Sequence, residues 1–234
     1  TIATQIYAKI CFEATNSQKK IIENLSEYLS DDDFSRIFVL NGFAGTGKTT
    51  LIAALVAALK ELRIKPVLLA PTGRAAKVLA RYCGEQALTI HKRIYRQRTN
   101  ADDESKFSLD FNREQGAVFI VDEASMLSDS TGDGALFGSG SLLEDLVSYV
   151  RSGRGCRLIL VGDSAQLPPV GCDFSPALDP ATVSRYGEVV YGLMDEVVRQ
   201  QMQSGILFNA TLVRCMLENR IYEIPKFEMD YPDF

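Results

Sequence analysis

Residues 42–49 read Gly42-Phe43-Ala44-Gly45-Thr46-Gly47-Lys48-Thr49, a complete match to the pattern G-x-x-x-x-G-K-[ST]. No other feature constrains the fold as strongly. The apolar run Arg36-Ile37-Phe38-Val39-Leu40 precedes it, and an alanine- and leucine-rich stretch, 51–62, follows it. The order is therefore strand, glycine loop, helix. Such a loop turns successive backbone N–H groups, and the positive end of a helix, toward a polyphosphate. Lys48 then reaches the terminal phosphates, and Thr49, followed by Thr50, stands where Mg²⁺ is held. The competing explanation is a chance match in a glycine-rich turn. The flanking strand and helix argue against it.

The rest of the composition excludes several classes. The 234 residues are 46% hydrophobic and 24% charged, an ordinary globular balance with ample material for a core. No run of about 18 apolar residues occurs, so no membrane partner is expected. No basic-then-apolar leader stands at the N-terminus. The chain starts with Thr1 rather than Met, which reads as an excised fragment or a processed product. Its five cysteines are scattered without a C-x-x-C pair, and His91 is its one histidine. That argues against zinc and fits a reducing cytoplasm. A net charge of −5 argues against bulk attraction to nucleic acid and leaves local basic clusters to do that work.

Alternating elements set the fold class. Apolar residues at Ile21, Ile22, Leu25, Tyr28 and Leu29 form a helical stripe over 17–29. After the loop and its helix come a strand at 66–70, a helix over about 74–82, and strands at 117–121, 156–161 and 188–191. Nearly continuous apolar strands alternating with helices predict an α/β fold. Its sheet is parallel, with helices on both faces. In such sheets ligands bind beyond the carboxyl ends of the strands, where the polar motifs here fall. Residues 93–98 and 107–111 are expected to pair as a projecting hairpin across the turn at 99–105. Residues 128–140 read as a mobile loop. Ser141-Leu142-Leu143-Glu144 reads as a capping box opening a helix. The tail, 221–234, reads as a loosely attached end.

Two further blocks carry chemistry. Asp122 and Glu123 end an apolar strand. Asp122 is placed to hold Mg²⁺ and Glu123 to polarise a water as general base, which favours hydrolysis over transfer to a hydroxyl. The bland alternative is a polar strand end. Gly162-Asp163-Ser164-Ala165-Gln166-Leu167-Pro168-Pro169-Val170 ends the next strand. Gln166 can reach and sense a γ-phosphate from there. A proline-held turn explains the same residues.

Together these blocks resemble the superfamily 1 helicases, in the RecD-like branch that moves 5′ to 3′. The order is Asn16-Ser17-Gln18, the phosphate loop, Ala70-Pro71-Thr72-Gly73-Arg74-Ala75-Ala76, Thr89-Ile90-His91, Val121-Asp122-Glu123-Ala124-Ser125-Met126, and the Gly162 to Val170 block. Leu193 and Val198-Arg199-Gln200 follow. The resemblance runs to about residue 220. It implies a RecA-like ATPase domain over 1–220 that uses ATP and Mg²⁺. Lys48, Glu123, Gln166 and Arg199 would act in catalysis, with Gln18 reading the adenine edge and Arg199 neutralising transition-state charge. A surface arginine at a helix start is the bland alternative for Arg199.

Single-stranded DNA is the partner the resemblance implies. Pro71, Thr72 and Gly73 open a helix whose N–H groups and hydroxyl can hold a phosphate. Arg74, Lys77 and Arg81 share one face of it, and for Arg81 a solvated surface is the simpler account. Thr89 and His91 match the second strand-contacting block, although a lone histidine often serves structure alone. Pro168 and Val170 are placed to wedge near bases. Lys92, Arg93, Tyr95, Arg96 and Arg98 combine charge with an aromatic, as single-strand binders do. The hairpin, 94–116, matches the family's strand-splitting pin. Its acidic turn, Asp102-Asp103-Glu104, would repel phosphate.

Helicases of this kind close ATP between two RecA-like domains, and nothing after residue 220 resembles the second. The isolated chain is expected to be a motor fragment, incomplete for unwinding, whose partners include that second domain and, by the same resemblance, exonuclease subunits. A non-catalytic nucleotide- or DNA-binding regulatory module is the alternative. A small-molecule kinase fits the loop but not the Asp-Glu pair.

Overall fold

The computed structural model describes residues 1–10, 13–98, 106–129 and 137–196, with single positions beyond as far as Phe227. The expected turn at 99–105, most of the expected loop at 128–140, Arg199 and most of the tail lie outside the described residues.

Six strands form one all-parallel sheet. They are β1 (Ile37–Gly42), β2 (Pro66–Ala70), β3 (Ala87–Thr89), β6 (Val118–Val121), β7 (Arg157–Gly162) and β8 (Val189–Met194), in the spatial order β3-β2-β6-β7-β1-β8. A separate antiparallel pair, β4 (Tyr95–Arg98) and β5 (Lys106–Leu109), is the expected hairpin, with Tyr95 opposite Leu109. Helices α1 (Ile2–Lys9), α2 (Asn16–Ser30), α3 (Lys48–Glu61), α4 (Gly73–Cys83), α5 (Ile90–Ile94), α6 (Leu142–Ser152) and α7 (Pro180–Val183), with 3-10 turns at Ala124–Met126 and Pro176–Leu178, surround the strands. Among the described residues no helix is long and apolar enough to cross a membrane.

The continuous apolar strands are explained by their two covered faces. Phe38, Leu40, Val118, Ile120, Ile159 and Val161 point into a core shared with α1 to α4. Their alternates, Ile37, Val39, Phe119, Val121, Leu158 and Leu160, point into a second core under α5, α6 and α7. Successive residues of a strand face opposite ways, so a strand buried on both sides loses its polar alternation.

Helix ends follow local chemistry. Thr15 and Gln18 form a full capping box on α2, Thr15 Oγ1 accepting from Gln18 N–H and Gln18 Oε1 from Thr15 N–H. Ser141 caps α6 through Glu144 N–H at 3.2 Å, and Gly84, at φ 63°, stops α4. Four of these strands and helices went unexpected. Helix α1 buries only Ala3 and Ile6, β3 is three half-buried residues, α5 is one short turn-and-a-half, and α7 is four residues. None is long enough to show a period.

At the sheet edge away from the phosphate loop, the fully buried Tyr28 hydroxyl donates to Leu158 O at 2.8 Å and accepts from Leu158 N–H at 3.2 Å. Burial pushes its pKa strongly up, so it stays a neutral donor. Tyr28→Phe orphans both backbone groups and should cost about 1–3 kcal/mol in denaturant unfolding. Nucleotide binding, at the opposite sheet edge, should be unchanged.

Candidate functional site

Because all six strands run the same way, every motif loop emerges at one edge. Along it, Thr89 ends β3, Thr72 follows β2, Asp122 and Glu123 follow β6, Asp163 follows β7, and the phosphate loop follows β1. Residues 72 and 122 are far apart in sequence and come from neighbouring strands.

The loop itself is tightly held. Gly45 and Gly47 take φ of 77° and 84°, a region that excludes most side chains. A Cβ at Gly47 would also come within 2.8 Å of Gln18 Nε2. Thr46 is fully buried, its hydroxyl donating to Phe43 O at 2.8 Å. Ala44 and Thr50 are exposed, and Thr49 is half-buried on the first turn of α3. Lys48 Nζ donates to Gly42 O and, at 2.9 Å, to Phe43 O, and lies 3.9 Å from Asp163 Oδ2.

Three carboxylates surround that one ammonium. Burial, first of all, raises the pKa of Asp122, with Lys48 pulling the other way. Burial also raises Glu123, reinforced by the charges of Asp122 and Asp163 and opposed by Lys48 and, least, by Gln166. A raised pKa suits a carboxylate that must take a proton from water. Glu123 holds a left-handed conformation, φ 55°, at the start of a 3-10 turn, Ala124–Met126. A non-glycine residue there is strained by roughly 1–2 kcal/mol. The turn after β7 is set by Asp163, whose Oδ1 accepts from Ala165 N–H at 2.9 Å and whose carbonyl accepts from Gln166 N–H at 3.1 Å.

Several roles were not visible in the sequence. Asp163 lay inside an expected block without a role of its own, and it is the buried counter-charge to Lys48. Asn41 links three strand ends, Nδ2 donating to Ser164 Oγ at 2.8 Å and to Tyr191 Oη at 3.0 Å. Gln18, the expected adenine reader, is buried and engaged at both ends, with Nε2 donating to Thr46 O at 2.9 Å. Its partners join the capping box to the phosphate loop.

The residues expected to meet nucleic acid form a second group along the edge. Thr72 caps α4 through Ala75 N–H at 3.2 Å, and Gly73 and Arg74 are exposed beside it. Pro71 is half-buried. Thr89 caps α5 through Lys92 N–H at 3.3 Å. His91 packs against Tyr95 and, edge-on at 5.2 Å, against Phe137, and burial lowers its pKa. It offers an uncharged ring, not a cation. Tyr95 Oη donates to the buried Asp145 carboxylate at 2.6 Å, and Phe107 stacks on Phe137 at 4.5 Å, so the hairpin is rooted in the domain. Pro168 is half-buried, and Leu167 and Val170 stand almost wholly in solvent.

The profile of the AAA domain family matches residues 13–207. The chain belongs to this family. Among curated relatives, the ATP-dependent RecD2 DNA helicase of Deinococcus radiodurans is 32% identical over 158 residues, covering 66% of this chain and 19% of that protein. The RecBCD enzyme subunit RecD of Mycobacterium tuberculosis is 33% identical over 201 residues, covering 70% of this chain and 32% of that protein. The chain thus spans a third or less of the length of these relatives. A crystal structure of Pif1 helicase from Bacteroides, in complex with ADP-AlF3 and ssDNA, shares the fold with a TM-score of 0.56 at 18% identity, over 91% of this chain and 48% of that one. The RecD-like kinship expected from the motif order is shown. The chain is a helicase-family AAA domain, homologous to a part of the RecD proteins.

Ionising Asp122 in its buried position costs folding free energy, since its folded pKa lies above its ordinary value. That cost is fully present above the folded pKa and fades as pH falls through it. Asp122→Asn should therefore raise the melting temperature of the nucleotide-free protein at neutral pH. The gain should shrink in melts taken down to about pH 4.

Proposed function

We propose that this chain is the motor domain of a DNA helicase, hydrolysing ATP and coupling that reaction to movement along single-stranded DNA. The convergence at one sheet edge of the phosphate loop, Asp122 and Glu123, and the turn at Asp163 carries this reading. That turn places Gln166 on a loop that runs on, within four residues, to the exposed Val170. A strand pressing on that loop can shift Gln166 and so alter the setting of Glu123.

The residues present fit ATP with Mg²⁺. Three carboxylates and one ammonium leave the pocket short of positive charge, and burial penalises the excess on Asp122 and Glu123. A divalent cation corrects that shortage. Thr49 and Asp122 would hold the metal, which would supply positive charge against the polyphosphate. The loop N–H groups from Gly45 to Thr49 orient the polyphosphate. Lys48 is released from the loop carbonyls toward its β- and γ-oxygens. Glu123 takes the proton of the attacking water while Gln166 keeps its carboxylate aimed.

Arg199 would add charge against the transition state, and a second RecA-like domain would close the site. Alone, the chain should bind ATP weakly, turn it over slowly and leave duplexes unseparated. Thr72, Arg74 and the rooted hairpin would steer the strand along the β2–β3 side.

Turnover with and without single-stranded DNA tests the proposal. DNA should stimulate it, Lys48→Ala should abolish it, and Gln166→Ala should remove most of the stimulation while sparing binding. Arg199→Ala should lower the rate by about 10³-fold, as loss of an arginine finger does. Absence of nucleotide binding would sink the proposal and favour a regulatory module. On the DNA side, Arg74→Ala should lower the slope of log affinity against log salt by roughly 0.7, the loss of one single-strand phosphate contact.

A further inference from the structure

A phosphate loop that aims its N–H groups at a ligand commits its carbonyls to donors elsewhere. Two consecutive carbonyls of this loop find them in segments remote from each other. Thr46 O accepts from Gln18 Nε2 at 2.9 Å, and Gly45 O accepts from Val198 N–H at 3.1 Å. Gln18 rides on the first turn of α2. Val198 lies just past the end of β8. The same exit segment also holds the entry to the loop, since Met194 O accepts from Phe43 N–H at 3.1 Å.

Glu196 ties these two holders together. Its Oε2 accepts from Asn16 N–H at 3.1 Å and its Oε1 from Ser17 N–H at 3.2 Å, across 180 and 179 residues of sequence. The Thr15–Gln18 box has already satisfied Gln18 N–H and oriented its amide. With Glu196 added, the donors at 16, 17 and 18 are all engaged. The carboxylate also meets the positive end of α2, where a negative charge is favoured. The result is a closed ring of contacts: Glu196, the α2 N-terminus, Gln18, Thr46 and Gly45, Val198, and back to Glu196.

We propose that Glu196 is a positioning residue of the nucleotide site, acting through this ring to hold the phosphate loop ready for its ligand. The proposal rests on the ATP reading above and goes beyond it. Glu196 touches neither phosphate nor metal. Its effect passes through Gln18 and Val198 to the two loop carbonyls. Gln18 is then a member of the ring as well as an adenine contact, and the two uses compete for one amide.

The test uses the whole chain, a fluorescent ATP analogue with Mg²⁺, and amide hydrogen exchange without nucleotide. In Glu196→Ala, binding should weaken by about tenfold, the scale of one or two lost hydrogen bonds. The nucleotide-free melting temperature should stay within a few degrees. Exchange should quicken in peptides covering 15–20, 42–50 and 194–198 and stay unchanged in β6 and β7. Glu196→Gln, which keeps one acceptor, should fall between. Combined with Gln18→Ala, Glu196→Ala should add little to the loss from either alone, because both open the same ring. Wild-type affinity in Glu196→Ala, additive losses, or faster exchange spread evenly over the sheet would each overturn the proposal. If the wild-type chain binds no analogue, the ATP reading fails, and the exchange pattern alone still decides whether the ring exists.

Discussion

The parallel direction of six strands is the constraint on which the other features depend. A parallel ladder puts every strand's carboxyl end, and so every following loop, at one edge. It also demands helices on both faces, which the chain supplies as two separate cores. A single antiparallel strand within β1, β2, β6 or β7 would carry its motif to the far edge. The chemistry at that edge is a balance of charge, with Lys48 facing Asp122, Glu123 and Asp163 in partly buried surroundings. A buried excess of negative charge costs stability in the absence of a cation. On the ATP reading proposed above, the pocket trades folding free energy for affinity toward a metal-bound polyphosphate.

Much of this was legible in the residues. The phosphate loop, the Asp122-Glu123 strand end and the strand at 66–70 are local patterns, and local patterns survive into structure because backbone sterics and burial impose them over a few residues. The hairpin was legible for the same reason: 107–111 alternate beside 93–98, and tertiary packing reinforced the period through Tyr95 and Phe107. The Thr15–Gln18 spacing fits a capping box, and only the structure shows the Gln18 amide serving that box and the phosphate loop together. Short elements such as α1, β3 and α5 carry too few residues for any period to show.

The site was legible in its members and not in its joints. Asn41 bonded to Ser164 and Tyr191, Gln18 to Thr46, and Glu196 to Asn16 and Ser17 are pairings between distant segments of ordinary polar residues. Nothing in their spacing marks them. His91 shows the same limit from the other side. Through its motif block it was a candidate for contact with a DNA strand, and burial beside Tyr95 and Phe137 makes it an uncharged ring in an aromatic cluster.

By itself the sequence determined which chemical groups exist, the strand, loop and helix on which each sits, and the kinship that their order implies. Tertiary structure alone decided their order in space. Along the chain the loops run 42, 72, 89, 122 and 163, whereas along the sheet edge they run 89, 72, 122, 163 and 42. That rearrangement sets the phosphate loop beside Asp163 and sets Thr72 beside Asp122. The physical reason is that strand neighbours are chosen by packing of two-faced apolar strands and by crossover connections, which are global properties. A motif is specified within about ten residues, while the partner across the pocket is specified by the whole sheet.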